Sequence, residues 1–254
     1  MGYKIAFIGS GNVASNLAHA MDKAGHSILQ IISSREDHAK LLASQFGAYY
    51  GTDIAKLDDH ADFVIIGVND EAYYSVLENI PPDISSIVCH SAGPVSMDIL
   101  SKYAKNYGVL YPLQSLRKEE IINFNSLPLF IEANSLRNLD ALSNLADSIS
   151  NVVKEVSSEE REKYHLAAVF ANNFTNLMYT IADEYLQNQS LDFNYLLPII
   201  NETANRLKHD KPKNWQTGPA KRGDISIIQK HIDMLDDTQL KTIYKQLSDL
   251  IGSR

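Results

Sequence analysis

A chain of 254 residues with 44% hydrophobic and 21% charged content is an ordinary globular protein of one large or two modest domains. Its formal net charge of −8 argues against nucleic acid and anionic membrane surfaces as partners, so an anionic ligand must be held by a local positive site. The single cysteine, Cys89, excludes an internal disulfide and a cysteine-based metal cluster and fits a reducing cytoplasm, and no apolar run approaches the ~18 residues of a membrane span.

The first element is a buried strand, Tyr3-Lys4-Ile5-Ala6-Phe7-Ile8, which starts early enough that no leader peptide is expected before it. It runs into Gly9-Ser10-Gly11-Asn12-Val13-Ala14 and then into an apolar-periodic helix carrying Leu17, Ala18 and Met21, stopped at Ala24-Gly25. A strand, a Gly-x-Gly-x-x-Ala turn and a helix in that order form a Rossmann dinucleotide fingerprint. Gly9 permits the tight turn, Gly11 leaves the pyrophosphate unobstructed, and the N–H groups at the helix start face its charge. Gly9, Ser10, Gly11, Asn12 and Val13 are therefore the expected pyrophosphate site.

Ser27-Ile28-Leu29-Gln30-Ile31-Ile32 reads as the next strand, followed by a helix from about Glu36 to Gln45. An NAD-type site places Asp or Glu at the end of this strand, roughly 20 residues beyond the glycines. Ser33-Ser34-Arg35 stands there instead. Two hydroxyls and a guanidinium suit a 2′-phosphate, so NADP is the expected cofactor. A plain helix start, with Ser34 as cap and Arg35 solvated, is the structural alternative.

Asp62-Phe63-Val64-Ile65-Ile66-Gly67-Val68 has the continuous apolar character of a central parallel strand. It ends at Val68-Asn69-Asp70, where Asp70 either lies beside the cofactor or caps the next helix. Ser86-Ile87-Val88-Cys89-His90, Gly108-Val109-Leu110, Leu127-Pro128-Leu129-Phe130-Ile131 and Asn151-Val152-Val153-Lys154-Glu155-Val156 read as further strands. The alternation predicts an α/β fold with a doubly wound, mostly parallel Rossmann sheet over residues 1–156. His90-Ser91-Ala92-Gly93 would bring an imidazole and a hydroxyl to the ligand edge of the sheet. His90 is a candidate proton donor, with a histidine tied to backbone as the alternative, and Cys89 is expected to pack as a buried hydrophobe.

From residue 157 the texture is helical. Ser157-Ser158-Glu159-Glu160 is a capping box opening a helix to about Gln187, and helices follow at about 191–208, 224–234 and 237–251. An all-helical C-terminal domain over 157–254 is the simplest reading. The long helix keeps Leu166, Phe170, Phe174, Leu177, Ile181 and Tyr185 near one face. That stripe must be covered by other helices or by a second subunit, so a homodimer is expected. His165 and Asn172 recur at helical spacing and are candidate substrate-binding or proton-transfer residues, with Lys163 a third. In Thr217-Gly218-Pro219-Ala220-Lys221-Arg222-Gly223-Asp224, the turn and the Asp224 cap explain all but the cations. Arg222 is a candidate grip on a substrate carboxylate.

Five segments together resemble the NADP-dependent oxidoreductases of the 6-phosphogluconate dehydrogenase-like superfamily, in the bacterial family that joins a Rossmann-like domain to a helical C-terminal domain of unknown function. They are Gly9-Ser10-Gly11-Asn12-Val13-Ala14, Val68-Asn69-Asp70, His90-Ser91-Ala92-Gly93, Tyr111-Pro112-Leu113-Gln114-Ser115 and Thr217-Gly218-Pro219-Ala220-Lys221-Arg222-Gly223-Asp224. The family is similar to pyrroline-5-carboxylate reductase and ketopantoate reductase. The resemblance implies that Val68, Asn69, Asp70 and Ser91 lie by the cofactor and that the activity is NADPH-dependent reduction of a small carboxylate-bearing carbonyl or imine, ketopantoate being the most concrete case. Asn69 stands where a proline is common, and Tyr111 where a histidine is expected. A non-catalytic NADP-binding sensor, and hydride transfer to a second cofactor such as a deazaflavin, are the rival expectations.

Overall fold

The computed structural model describes residues 2–253. Met1 and Arg254, the outer ends of the expected ranges 1–156 and 157–254, lie outside the described residues. In chain order the first part contains β1 (Lys4–Ile8), α1 (Asn12–Lys23), β2 (Ser27–Ile32), α2 (Glu36–Ala43), β3 (Tyr49–Gly51), β4 (Phe63–Ile66), α3 (Tyr73–Leu77), β5 (Ile87–His90), β6 (Tyr107–Pro112), β7 (Leu129–Ala133), α4 (Leu136–Asp147) and β8 (Val153–Glu155). The strands make one eight-stranded sheet in the order β3-β2-β1-β4-β5-β6-β7-β8. Every neighbouring pair is parallel except β6 and β7. The order reverses between β1 and β4, and a doubly wound sheet opens its ligand crevice at such a reversal.

Alternation along each strand builds a core on both faces. Ile5 and Phe7 of β1 pack with Leu17 and Met21 of α1, Leu42 of α2, and Leu142 and Leu145 of α4. Ala6 and Ile8 face the other way, onto Tyr73, Val76 and Leu77 of α3. All of β4 is buried, as its apolar run predicts. The Cys89 side chain falls in the first layer, where burial pushes its thiol well above the usual range and leaves it unreactive.

The helical part begins with α5 (Ser158–Ala168), passes through one stretch of π-helix at Val169–Phe174 and continues as α6 (Thr175–Asn188), then α7 (Leu197–Arg206), α8 (Pro219–Arg222), α9 (Ile225–Asp233) and α10 (Thr238–Gly252). The capping box forms as predicted: the Ser157 hydroxyl accepts from the Glu160 N–H, and the Glu160 carboxylate accepts from the Ser157 N–H. Contacts divide the chain into two compact units between Leu177 and Met178, inside the long helix rather than at 156/157 where composition changes. The reason lies in α5, whose start is fastened to the sheet. Arg161 is wholly buried, pairs with Glu132 of β7 at 2.6 Å and donates to the Val95 carbonyl. The Glu132 carboxylate also accepts from the Ser158 N–H and hydroxyl.

Candidate functional site

The cleft at the C-terminal ends of β1, β2 and β4 has a volume of about 530 Å³. Gly9 holds φ at +112°, and a Cβ there would come within 2.3 Å of the Gly67 carbonyl oxygen, so the β1 turn and the end of β4 lie in direct contact. An added Cβ at Gly11 would meet nothing nearer than 4.0 Å, which leaves its place open toward the cleft that Gly11 lines. The Ser15 N–H is the first of α1 to reach back, bonding the Gly11 carbonyl, so the amides before it are free to meet an anion. A glycine cradle in front of a helix N-terminus is the fit a pyrophosphate requires.

Gly9, Ser10, Gly11, Asn12, Ser33, Ser34, Arg35, Val68 and Asn69 all line this cleft, as read from the sequence. Ser10 and Ser33 join their hydroxyls at 2.8 Å, coupling the glycine turn to the end of β2. The Val13 side chain packs against the core, so only its backbone N–H can serve the expected pyrophosphate site. Two expectations need correction. Asp70 begins a short 3₁₀ turn after Asn69 and is neither a lining residue nor the cap. Ser91 is buried and spends both its N–H and its hydroxyl on the Ile66 carbonyl. Arg35 lines the cleft, but its Nε and Nη2 both bond the Asp37 carboxylate, which that guanidinium holds below the usual carboxylate range. Lys118, which the sequence does not mark, reaches the same cleft.

His90 is also corrected. It ends β5 with no exposed surface, its Nδ1 accepts from the Ala92 N–H, and its Nε2 has no partner among the described residues. Burial, helped by the Arg161 charge, pushes its pKa down to about 3. A neutral, enclosed imidazole cannot deliver protons to a ligand at neutral pH.

His165, by contrast, lines a pocket away from the glycine cleft. With Tyr111, Gln114, Ser115, Ala168, Val169, Asn172 and Asn173 it lines a cavity of about 250 Å³. Its Nδ1 lies 3.1 Å from the Tyr111 hydroxyl. Burial raises the Tyr111 pKa, so the phenol keeps its proton. Gly93 makes the pair possible, since a Cβ there would sit 2.5 Å from His165 Nδ1 and 3.0 Å from the Tyr111 oxygen. The π-helical turn at Val169–Phe174 includes Asn172 and Asn173, where an extra residue per turn changes which side chains share a face. The Tyr111 departure thus has a use, invisible from spacing alone because its partner stands on a distant helix. Lys163 takes no part: it is exposed and paired with Glu159 at 2.5 Å. In the second unit Arg222 gives its Nε and Nη2 to Asp224, so the carboxylate grip read from the sequence is already occupied.

Strand order, glycine turn and cleft define a dinucleotide-binding protein of the Rossmann class. Residues 4–89 match the family described as NADP oxidoreductase, coenzyme F420-dependent, and residues 127–251 the family described as a domain of unknown function (DUF2520). A Bacteroides fragilis protein provisionally described as an NADP oxidoreductase is 38% identical over 100% of this chain and 99% of its own, with a TM-score of 0.93. The chain belongs to that NADP oxidoreductase family. A Thermotoga maritima protein is 22% identical over 98% of this chain and 97% of its own, with a TM-score of 0.71. Pyrroline-5-carboxylate reductase of Streptococcus pyogenes is 17% identical over 100% and 99%, with a TM-score of 0.65, a likeness of fold. No curated protein matches the chain. Among the described residues no helix is long and apolar enough to cross a membrane.

Proposed function

We propose that the protein is an NADPH-dependent reductase of a small carbonyl or imine compound with a polar head group, a carboxylate being the most suitable. The observation that carries this reading is the Tyr111–His165 pair opening onto a small pocket beside the amides of Asn172 and Asn173. Tyr111 lies near the end of β6, two strands along from β4 and roughly 10 Å by strand spacing. A ligand seated at the glycine turn could extend along the strand ends toward it.

A bound nicotinamide supplies the hydride. The chain's own part is to hold the substrate and provide the proton. With a proton on each ring nitrogen, His165 donates Nδ1–H to the Tyr111 oxygen and Nε2–H to the substrate; once Nε2 has given up its proton, Nδ1 keeps its own and still donates to Tyr111. A hydroxyl serves both states, so Tyr111 orients the ring while Nε2 exchanges a proton with the substrate. Amide N–H groups of Asn172, Asn173 and Gln114 and the Ser115 hydroxyl can donate to a carboxylate. A non-catalytic sensor has no use for this pair, and a deazaflavin needs a wider surface than a pocket of about 250 Å³.

We propose further that a second copy of the chain covers the helical unit. Beyond Arg161 no described residue is buried. Yet Tyr195, Ile199 and Ile225 are 85%, 64% and 78% exposed. A unit without a core does not stand alone in water.

The test is a screen of 2-oxo acids, ketopantoate included, and cyclic imines for loss of NADPH absorbance. Turnover of at least one compound is expected. His165→Gln should lower kcat by about 100-fold or more with NADPH affinity unchanged, and Tyr111→Phe by about tenfold. Full activity in His165→Gln would place the chemistry elsewhere, and NADPH binding without turnover across the panel would favour the sensor.

A further inference from the structure

The segment from β6 to β7 holds neither helix nor strand, yet it is pinned. Asn16, on α1, has no exposed surface. Its Nδ2 donates to the carbonyls of Asn12 and Arg117, and its Oδ1 accepts from the Ile122 N–H. The Asn12 Oδ1 accepts from the Lys118 N–H at 3.1 Å. One buried amide and one exposed amide thus tie the loop across the start of α1 and set Lys118 on the rim of the nucleotide cleft. Lys118 also borders a second cavity, and the residues common to both are Ser10, His38 and Lys118.

The charges on this side of the cleft do not favour Arg35. Its guanidinium is engaged by Asp37 at 2.9 Å, so a carboxylate offsets its charge at contact distance. Arg117 and Glu119 pair with each other at 3.8 Å, and no carboxylate of the described residues lies within ion-pair distance of Lys118. A dianionic phosphate near Ser33 and Ser34 would find one uncompensated cation, and it comes from a loop more than eighty residues away in sequence.

We infer that Lys118 is the residue that selects for the 2′-phosphate, closing over it from the side opposite Ser33 and Ser34. This rests on the reading of the cleft as an NADP site. A lysine suits the task because its ammonium is a point charge on a long stem, able to turn inward from a fixed backbone position.

Calorimetric titration of the full chain with 2′,5′-ADP and 5′-ADP isolates the phosphate, and NADPH and NADH repeat the comparison with whole cofactors. Lys118→Met should weaken 2′,5′-ADP and NADPH by about tenfold and leave 5′-ADP and NADH unchanged, while Lys118→Arg retains most of the preference. Arg35→Ala should cost less than Lys118→Met. Equal weakening of all four ligands would move Lys118 to the phosphates they share, and no change would remove it from the site; either overturns the inference. Wild-type protein that binds none of the four would overturn the reading of the cleft itself, a result distinct from a normal wild type with an indifferent Lys118 variant.

Discussion

His90 shows what burial does to a titratable group at the end of a strand. Its pKa, brought down to about 3 by desolvation and by the nearby Arg161 charge, lies below the ordinary histidine value that the unfolded chain retains. Between those two values the unfolded chain binds the extra proton and the folded chain does not. Its contribution to stability is therefore complete above about pH 6.5 and is lost as the pH falls toward 3. At pH 5 the loss is about 2 kcal/mol. Urea midpoints at pH 7.5 and pH 5 should separate strongly in the wild type and less in His90→Gln. An equal separation in both would mean that His90 titrates normally in the folded protein. Gly93 makes a second case: Gly93→Ala should disturb the Tyr111–His165 pair, whose atoms a Cβ would reach at 2.5 Å. It should lower kcat while NADPH affinity holds, and an unchanged kcat would show that the pair has room to move.

Among the elements, α5 is held to the sheet by a buried ion pair as well as by the packing of Tyr164 on Phe130. Arg161 is the last buried residue among those described, and its bonds to Glu132, Val95 and Ser158 place His165, one turn on, against Tyr111. Breaking a buried pair strands a charge, so Arg161→Met should cost about 3–5 kcal/mol. Removing both partners in Arg161→Met/Glu132→Leu should cost less than the sum of the single changes, a coupling that a double-mutant cycle measures. Additive effects would deny the pair. For the loop, Asn16→Ala should cost about 1–3 kcal/mol by leaving the Ile122 N–H and the Arg117 carbonyl without their partner. It should also weaken NADPH as the Lys118 change does; stability lost with NADPH affinity intact would separate the loop from the cofactor.

These elements differ in how far the sequence exposes them. β1, α1 and β4 are legible because one face or both must be apolar, and glycine is the residue that the turn after β1 requires. No helix is read between the strands at 127–131 and 151–156, although Ser135 caps α4 and Leu142, Leu145 and Ala146 lie on its buried face. β3 is three residues, two of them exposed, whose pairing with β2 leaves no periodic trace. The Asn16 staple and the Arg161–Glu132 pair are contacts between distant segments. In sequence each shows only as a polar residue where an apolar one would be ordinary, as Asn16 does on the buried face of α1 and Glu132 in the apolar β7. The same limit explains why Tyr111 reads only as a departure from an expected histidine, while His90 and His165 both stand as candidates.

For the whole molecule, one unit carries a two-sided core and the other carries amphipathic helices without a buried residue. Sedimentation equilibrium should find a dimer at micromolar protein, and a charge such as Ile225→Glu on the exposed apolar surface should weaken it. A stable monomer would contradict the proposed second copy. Whether the glycine cleft holds NADP is read directly by calorimetric titration of the wild-type chain with NADPH and, separately, NADH. One NADPH per chain and weaker NADH binding are expected. Failure to bind either, by protein shown to be folded, would contradict that expectation and leave the glycine turn as scaffold.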